Sequence, residues 1–210
     1  MKDRKKVEKI IEILDNLYPT PQCSLTYDTP FQLLVATRLS AQCTDARVNM
    51  VTPKLFSRFP DAKSFQNADV SEVEDLIRST GFFREKAASI IAFSAIIAEK
   101  YQGELPKTQE ELTALPGVGR KTANLVLYEV YGIPGLVIDT HAKRLSYRLG
   151  LTKNTEPYRV EKDLEPIIPK VVQTRFCHQL IHHGRAVCDA RKPKCDLCAL
   201  RDYCTYGNEK

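Results

Sequence analysis

The chain has 210 residues, of which 43% are hydrophobic and 27% charged, and a formal net charge of +5. This is enough apolar material for one large domain or two small lobes, and the mild basicity permits a nucleic-acid partner without demanding one. Trp is absent and only 8% of residues are aromatic, which argues against broad base-stacking platforms.

The first ten residues, Met1 to Ile10, carry seven charges and no apolar run, so they are not a secretory signal. No stretch approaches the roughly 20 apolar residues of a membrane span. A soluble, intracellular protein is expected. Val7, Ile10, Ile11, Leu14 and Leu17 recur at helical spacing and predict a first helix ending before Pro19. Thr29-Pro30 opens a second helix with Phe31, Leu34, Val35 and Ala36, and Thr44 or Asp45 caps a third. Ser71 with Glu74 reads as a capping box before Val73, Leu76 and Ile77. Gly81-Phe82-Phe83 is a tight connection to a long helix marked by Ala87, Ile90, Ile91, Ser94, Ile97 and Ala98. A second capping box, Thr108 with Glu111, leads to Leu112 and Leu115. After Gly119 a helix carries Ala123, Val126, Leu127 and Val130. Gly132-Ile133-Pro134-Gly135 interrupts the pattern and is the best lobe boundary. Later helices carry Leu145 and Leu149, then Val160, Leu164 and Ile167, then Val172, Phe176 and Leu180, with Gly184 as the stop. Leu136-Val137-Ile138 gives only a short hint of a strand. The predicted fold class is all-α.

The segment Leu115-Pro116-Gly117-Val118-Gly119-Arg120-Lys121 stands out. Pro116 ends one helix, Gly117 and Gly119 allow positive φ and close backbone approach, and the next helix begins at once. A helix N-terminus with its dipole favours an anion. Such a helix–turn–helix unit is similar to the helix-hairpin-helix motif, which holds DNA phosphates without reading bases. Arg120-Lys121 tilts the reading from a plain helical turn toward phosphate contact.

On a helical wheel Lys121 points away from the Ala123, Val126, Leu127 and Val130 stripe, toward Leu125 and Tyr128. Apolar surroundings and a helix N-terminus predict a lowered pKa and a nucleophilic amine. Asp139 precedes a helix starting near Thr140, where it can cap and, being ionised there, also serve as a base or charge stabiliser.

Seven cysteines, an odd number, make a disulfide framework a poor reading. Four of them form the pattern Cys188-x6-Cys195-x2-Cys198-x5-Cys204, which can enclose one metal centre. On spacing alone, structural zinc and an iron–sulfur cluster are balanced, since only Cys195 and Cys198 make a close pair. The loop between the first two ligands holds Arg191, Lys192 and Lys194, a phosphate-facing patch once fixed. Cys23, Cys43 and Cys177 read as buried apolar residues.

Together, Leu115–Lys121, Asp139-Thr140-His141, the cysteine tail, Leu39-Ser40-Ala41-Gln42-Cys43-Thr44-Asp45 and Gly81-Phe82-Phe83 resemble the endonuclease III family of helix-hairpin-helix DNA glycosylases, over nearly the whole chain. The resemblance implies two lobes with a cleft between them. Residues 22–132 would form a six-helix barrel with the hairpin at about 106–131, and residues 1–21 plus 133–210 a cluster lobe. It implies a [4Fe–4S] cluster on Cys188, Cys195, Cys198 and Cys204, and excision of oxidised pyrimidines from duplex DNA with the nucleotide flipped out. Lys121 would attack C1′ with Asp139 assisting, and β-elimination would cut 3′ to the abasic site. Gln42 matches a residue that fills the gap left by the flipped base. Phe82 matches the wedge position, where Leu is common in the family. Gly117, Gly119, Arg120, His141, Arg191 and Lys192 complete the implied DNA contacts. The implied protein is a monomer that acts on double-stranded DNA with a damaged base or abasic site, is cytoplasmic and nucleoid-associated, and makes no membrane contact.

Two other readings compete. An adenine-excising mismatch glycosylase shares the hairpin, aspartate and cysteine spacing, but typically lacks the lysine and carries a further C-terminal domain, whereas here six residues follow Cys204. A non-catalytic DNA-binding iron–sulfur module would need the hairpin and cluster but not Lys121 with Asp139.

Overall fold

The computed structural model describes residues 2–208. All regular structure among these residues is helical, so the chain is all-α. Leu136, Val137 and Ile138 are buried but form no strand. No helix among the described residues is long and apolar enough to cross a membrane. The chain divides into two compact units. One is the continuous segment Cys23–Gly132, and the other joins the chain up to Gln22 with Ile133 onward.

Helix α1 (Lys2–Leu17) belongs to the discontinuous unit. The continuous unit contains α2 (Pro30–Leu39), α3 (Asp45–Arg58), α4 (Ala62–Gln66), α5 (Val70–Ile77), α6 (Phe83–Lys100), α7 (Gln109–Thr113) and α8 (Arg120–Tyr131). Thr29, with Pro30 at the first helical position, caps α2 through an N–H from Gln32, and Thr44 caps α3. The expected Ser71 capping box does not start α5. Asp69 does, accepting both the N–H and the hydroxyl of Ser71, and the helix begins two residues earlier. Every residue of α2 from Phe31 to Leu39 is buried, which makes it the central helix of this unit. Phe31 packs against Phe65 and Phe93 with ring centroids 5.8 and 6.3 Å apart. Polar groups on so buried a helix need partners: Thr37 donates to the Leu33 carbonyl, 2.7 Å, and Gln32 accepts the Asp28 N–H, 2.9 Å.

The discontinuous unit holds α1, α9 (Thr140–Arg148), α10 (Pro157–Leu164), α11 (Gln173–Ala186) and α12 (Thr205–Asn208). Val7, Ile10 and Leu14 on α1 are buried, and Asp15 accepts from Arg175 at 2.9 Å and Gln179 at 2.7 Å on α11. Gly184 does not stop α11. It lies inside the helix, where a Cβ would come within 2.7 Å of His141 Nδ1. Glycine is there to let α9 approach, and α11 runs on to Ala186. Cys177 is fully buried, and burial pushes its thiol up to about 12.

Candidate functional site

The turn between α7 and α8 is built locally. Thr108 caps α7 by accepting the Glu111 N–H, and its hydroxyl reaches the Glu111 carboxylate at 2.9 Å. The Leu115 carbonyl then accepts the Val118 N–H at 3.1 Å, closing a turn with Pro116 second and Gly117 third. Gly117 has φ of 73°, the position where a type II turn demands glycine. Gly119 differs from the expectation: its backbone is extended, with φ of −95°, and it serves as the N-cap of α8. No side chain caps that N-terminus. The smallest residue at this point lets a phosphate come close to the positive end of the helix.

Beneath the turn sits Arg38, buried on α2. Its Nε donates to Ser89 Oγ at 2.7 Å and its Nη2 to Glu85 at 3.0 Å. Sequence reasoning missed it, although a charged residue within the mostly apolar stretch Phe31–Leu39 was the available signal.

Lys121 lies in the first turn of α8 and is exposed. Leu125 is buried but does not join the core cluster that holds Ala123, Val126 and Leu127, and Tyr128 is half-buried. Burial pushes the Cys23 thiol up to about 11, with the charge of Lys121 acting against the rise. Cys23 and Cys43 are half-buried rather than core residues. Gln42 and Phe82 are exposed on separate loops of the same unit, both with left-handed backbone at φ of 53° and 47°.

In the discontinuous unit, Asp139 caps α9 by accepting the Ala142 N–H at 2.7 Å through Oδ1. His141 is half-buried against α11, and Arg144 Nη2 reaches its Nδ1 at 3.2 Å while donating to the carbonyls of Gly184 and Cys188 at 3.1 and 2.9 Å. This geometry packs one side of His141 against α11.

Cys188, Cys195, Cys198 and Cys204 line one small cavity with Val187, Pro193, Tyr206 and Gly207. Among the described residues, no three His, Cys, Asp or Glu side chains are placed to hold a single metal ion. The four thiols instead share one lining, and four cysteine thiolates are the donor set an iron–sulfur cluster takes. Donors already face the sulfurs: Arg148 Nη1 to Cys188 Sγ at 3.2 Å and the Gly207 N–H to Cys204 Sγ at 3.3 Å, while His183 Nε2 lies 3.3 Å from Cys198 Sγ. Tyr18 OH meets the other ring nitrogen of His183 at 3.2 Å. Burial, reinforced by the neighbouring sulfurs, raises the Cys198 and Cys204 thiols, a cost that iron binding removes by taking the thiolates. Hydrogen bonds to ligand sulfurs are the usual second layer of such a site.

The loop after Cys188 is held in shape by Asp189. Its carboxylate accepts the N–H groups of Arg191 and Lys192 at 2.9 and 3.2 Å, which hold it below the usual carboxylate range. Arg148 donates to the Asp189 and Ala190 carbonyls at 2.7 and 2.8 Å. Arg191, Lys192 and Lys194 are exposed.

Residues 35–170 match the HhH-GPD superfamily of base excision DNA repair proteins, and residues 188–204 match the iron–sulfur binding domain of endonuclease III. The chain belongs to the HhH-GPD superfamily. This HhH-GPD protein is 54% identical over 202 residues to endonuclease III of Synechocystis sp. (strain PCC 6803), covering 96% of this chain and 92% of the relative. Endonuclease III of Bacillus subtilis (strain 168) is 39% identical over 211 residues, covering 100% and 96%. A solved structure of a trapped endonuclease III–DNA covalent intermediate matches with a TM-score of 0.93 at 39% identity, covering 98% of this chain and 97% of that one. The HhH-GPD chain is accordingly a base-excision-repair DNA glycosylase/lyase with DNA as its partner and a [4Fe–4S] cluster as its cofactor. When bound, the cluster crosslinks the segment from Cys188 to Cys204, a span with little regular structure of its own.

Proposed function

We propose that this chain removes oxidised pyrimidines from duplex DNA and cleaves at the resulting abasic site through Lys121. The carrying observation is Lys121 itself, an exposed lysine in the first turn of α8, immediately after a turn suited to a DNA phosphate. A solvent-facing amine there is available to a sugar whose phosphate the hairpin holds, with the geometry set by the rigid helix.

The neutral amine of Lys121 bonds to C1′, and the bond from C1′ to the base breaks with its electron pair leaving on the base. The ring oxygen then departs from C1′, which leaves a Schiff base. Loss of a C2′ proton and cleavage of the C3′–O bond eject the 3′ phosphate and cut the strand. Asp139 assists deprotonation of the amine and balances the positive charge. Gln42 fills the space vacated by the extruded nucleotide, Phe82 acts as the wedge beside it, and Arg120, Arg191 and Lys192 supply phosphate contacts. Gly117 and Gly119 admit the backbone phosphate to the hairpin, and His141 positions the segment after Asp139. The enzyme acts as a monomer on DNA carrying a damaged base or an abasic site, in the cytoplasm at the nucleoid.

Borohydride reduction in the presence of abasic-site duplex tests this reading. A covalent protein–DNA adduct is expected with the wild type and none with Lys121→Ala. An adduct that persists in Lys121→Ala assigns the amine elsewhere. A panel of duplexes with oxidised pyrimidines, oxidised purines and mispaired adenine tests the substrate class.

A further inference from the structure

Three residues other than glycine have a left-handed backbone among the described residues: Gln42, Phe82 and Gln102. Gln102 belongs to the turn that ends α6, where the Gly103 N–H bonds back to the Ile97 carbonyl at 2.9 Å. The other two are exposed, on loops some forty residues apart in sequence, and neither is held there by its own packing. Such strain persists only where the surroundings over-determine it.

One buried side chain reaches both loops. Lys86, on α6, is 0% exposed. Its Nζ donates to the Leu39 carbonyl at 2.7 Å and to the Thr80 carbonyl at 2.9 Å. Leu39 ends α2, three residues before Gln42. Thr80 ends the short 3-10 turn Arg78–Thr80, two residues before Phe82. Both acceptors sit at the negative ends of helical segments, where a cation is favoured. The Lys86 main-chain N–H also donates to the Phe82 carbonyl at 3.0 Å. The Phe82 loop is therefore gripped at two points and the Gln42 loop at one, all by a single residue. Burial lowers the pKa of the ammonium, so an apolar side chain would be the cheaper occupant unless the two carbonyls needed it.

We infer that Lys86 is a positioning residue that clamps Gln42 and Phe82 into one rigid element, so that the amide and the ring enter the duplex together at the gap left by an extruded nucleotide. This rests on the reading of Gln42 and Phe82 given above. Lys86 touches no DNA and acts through the two loops. A buried ammonium joining two main-chain carbonyls fixes their spacing and lets neither loop relax alone.

The test compares wild type with Lys86→Met, which keeps the volume and removes the donors. Two quantities are read: the affinity ratio for abasic-site over undamaged duplex, and the fluorescence rise of 2-aminopurine placed opposite the abasic site. Loss of the clamp is expected to lower the ratio by about tenfold or more, as ångström-scale misplacement does, and to remove the fluorescence rise. An unchanged ratio and rise in folded Lys86→Met overturns the clamp and leaves the lyase reading intact. If Lys86→Met fails to fold, Lys86→Gln with hydrogen exchange replaces it. Faster exchange at both 40–43 and 80–83 is expected, and a change confined to 80–83 overturns the clamp. Wild type with no preference for abasic-site duplex overturns the underlying reading and the clamp with it. Wild type that has the preference but forms no borohydride adduct overturns only the role of Lys121.

Discussion

Arg38 and Gly117 meet so closely that a Cβ on the glycine would stand 2.7 Å from the guanidinium Nε. The hairpin turn therefore rests on a buried cation from the central helix, and Ser89 crowds the same spot at 2.8 Å. Gly117→Ala meets both the clash and a φ of 73°, and is expected to cost about 1–3 kcal/mol of stability by urea unfolding, with weaker duplex binding. Gly119→Ala is the control. It finds nothing within 4 Å and has an extended backbone, so its cost should stay below about 1 kcal/mol. Equal losses in the two variants would contradict this account of the turn.

Asp139 can be divided into its two roles. Asparagine caps a helix about as well as aspartate, so Asp139→Asn should keep the stability of α9 while lowering single-turnover excision by about 10²–10⁴-fold. Asp139→Ala should add a stability loss of about 1 kcal/mol through the lost bond to the Ala142 N–H. Full activity in Asp139→Asn would reduce Asp139 to a cap.

Phe82 carries strain for an exposed ring. Phe82→Gly releases the left-handed penalty of about 1–2 kcal/mol, offset by the extra chain entropy of glycine of about 0.5–1 kcal/mol. Stability should therefore hold or rise slightly in thermal melts, while the preference for lesion-containing duplex falls. A large loss of stability would mean that the ring packs in a way its 63% exposure does not indicate.

Lys86 also predicts a pH signature. Burial holds its ammonium below the ordinary lysine value of 10.5, while Arg38 lowers it further and Glu85 and Cys43 act the other way. Beneath 10.5 the unfolded chain binds this proton more readily than the folded one, so stability attributable to Lys86 rises with pH up to that value. The stability difference between wild type and Lys86→Met, from urea unfolding, should move in favour of wild type as pH rises toward the unfolded lysine value of 10.5. Movement the other way would place Lys86 among groups whose charge the fold supports.

Local chemistry was readable and distant chemistry was not. Thr29, Thr44, Thr108 and Asp139 each cap a helix a few residues away, so sequence neighbours define their roles. The Leu115–Val118 turn is equally self-contained. Gly184 was misread because a glycine that admits another helix looks the same in one dimension as a glycine that ends its own. Ser71 lost the cap of α5 to Asp69, two residues earlier in a stretch where either can start the helix. Arg38 and Lys86 escaped because their partners lie 51 and 47 positions away. Spacing showed that Cys188, Cys195, Cys198 and Cys204 belong together, but not what they hold. The match to the iron–sulfur binding domain of endonuclease III over residues 188–204 is what identifies the cluster.

The bond between Tyr18 and His183 spans 165 positions, and that between Lys6 and the Leu149 carbonyl spans 143. During synthesis at roughly 5–20 residues per second, α1 waits on the order of ten seconds or more before its partners leave the ribosome. The continuous unit has all its residues available long before then. Production of this protein is therefore expected to pass through a stage in which the central helices are formed while the apolar face of α1 stays uncovered. That interval, more than the finished fold, is where a chaperone or low temperature should improve yield.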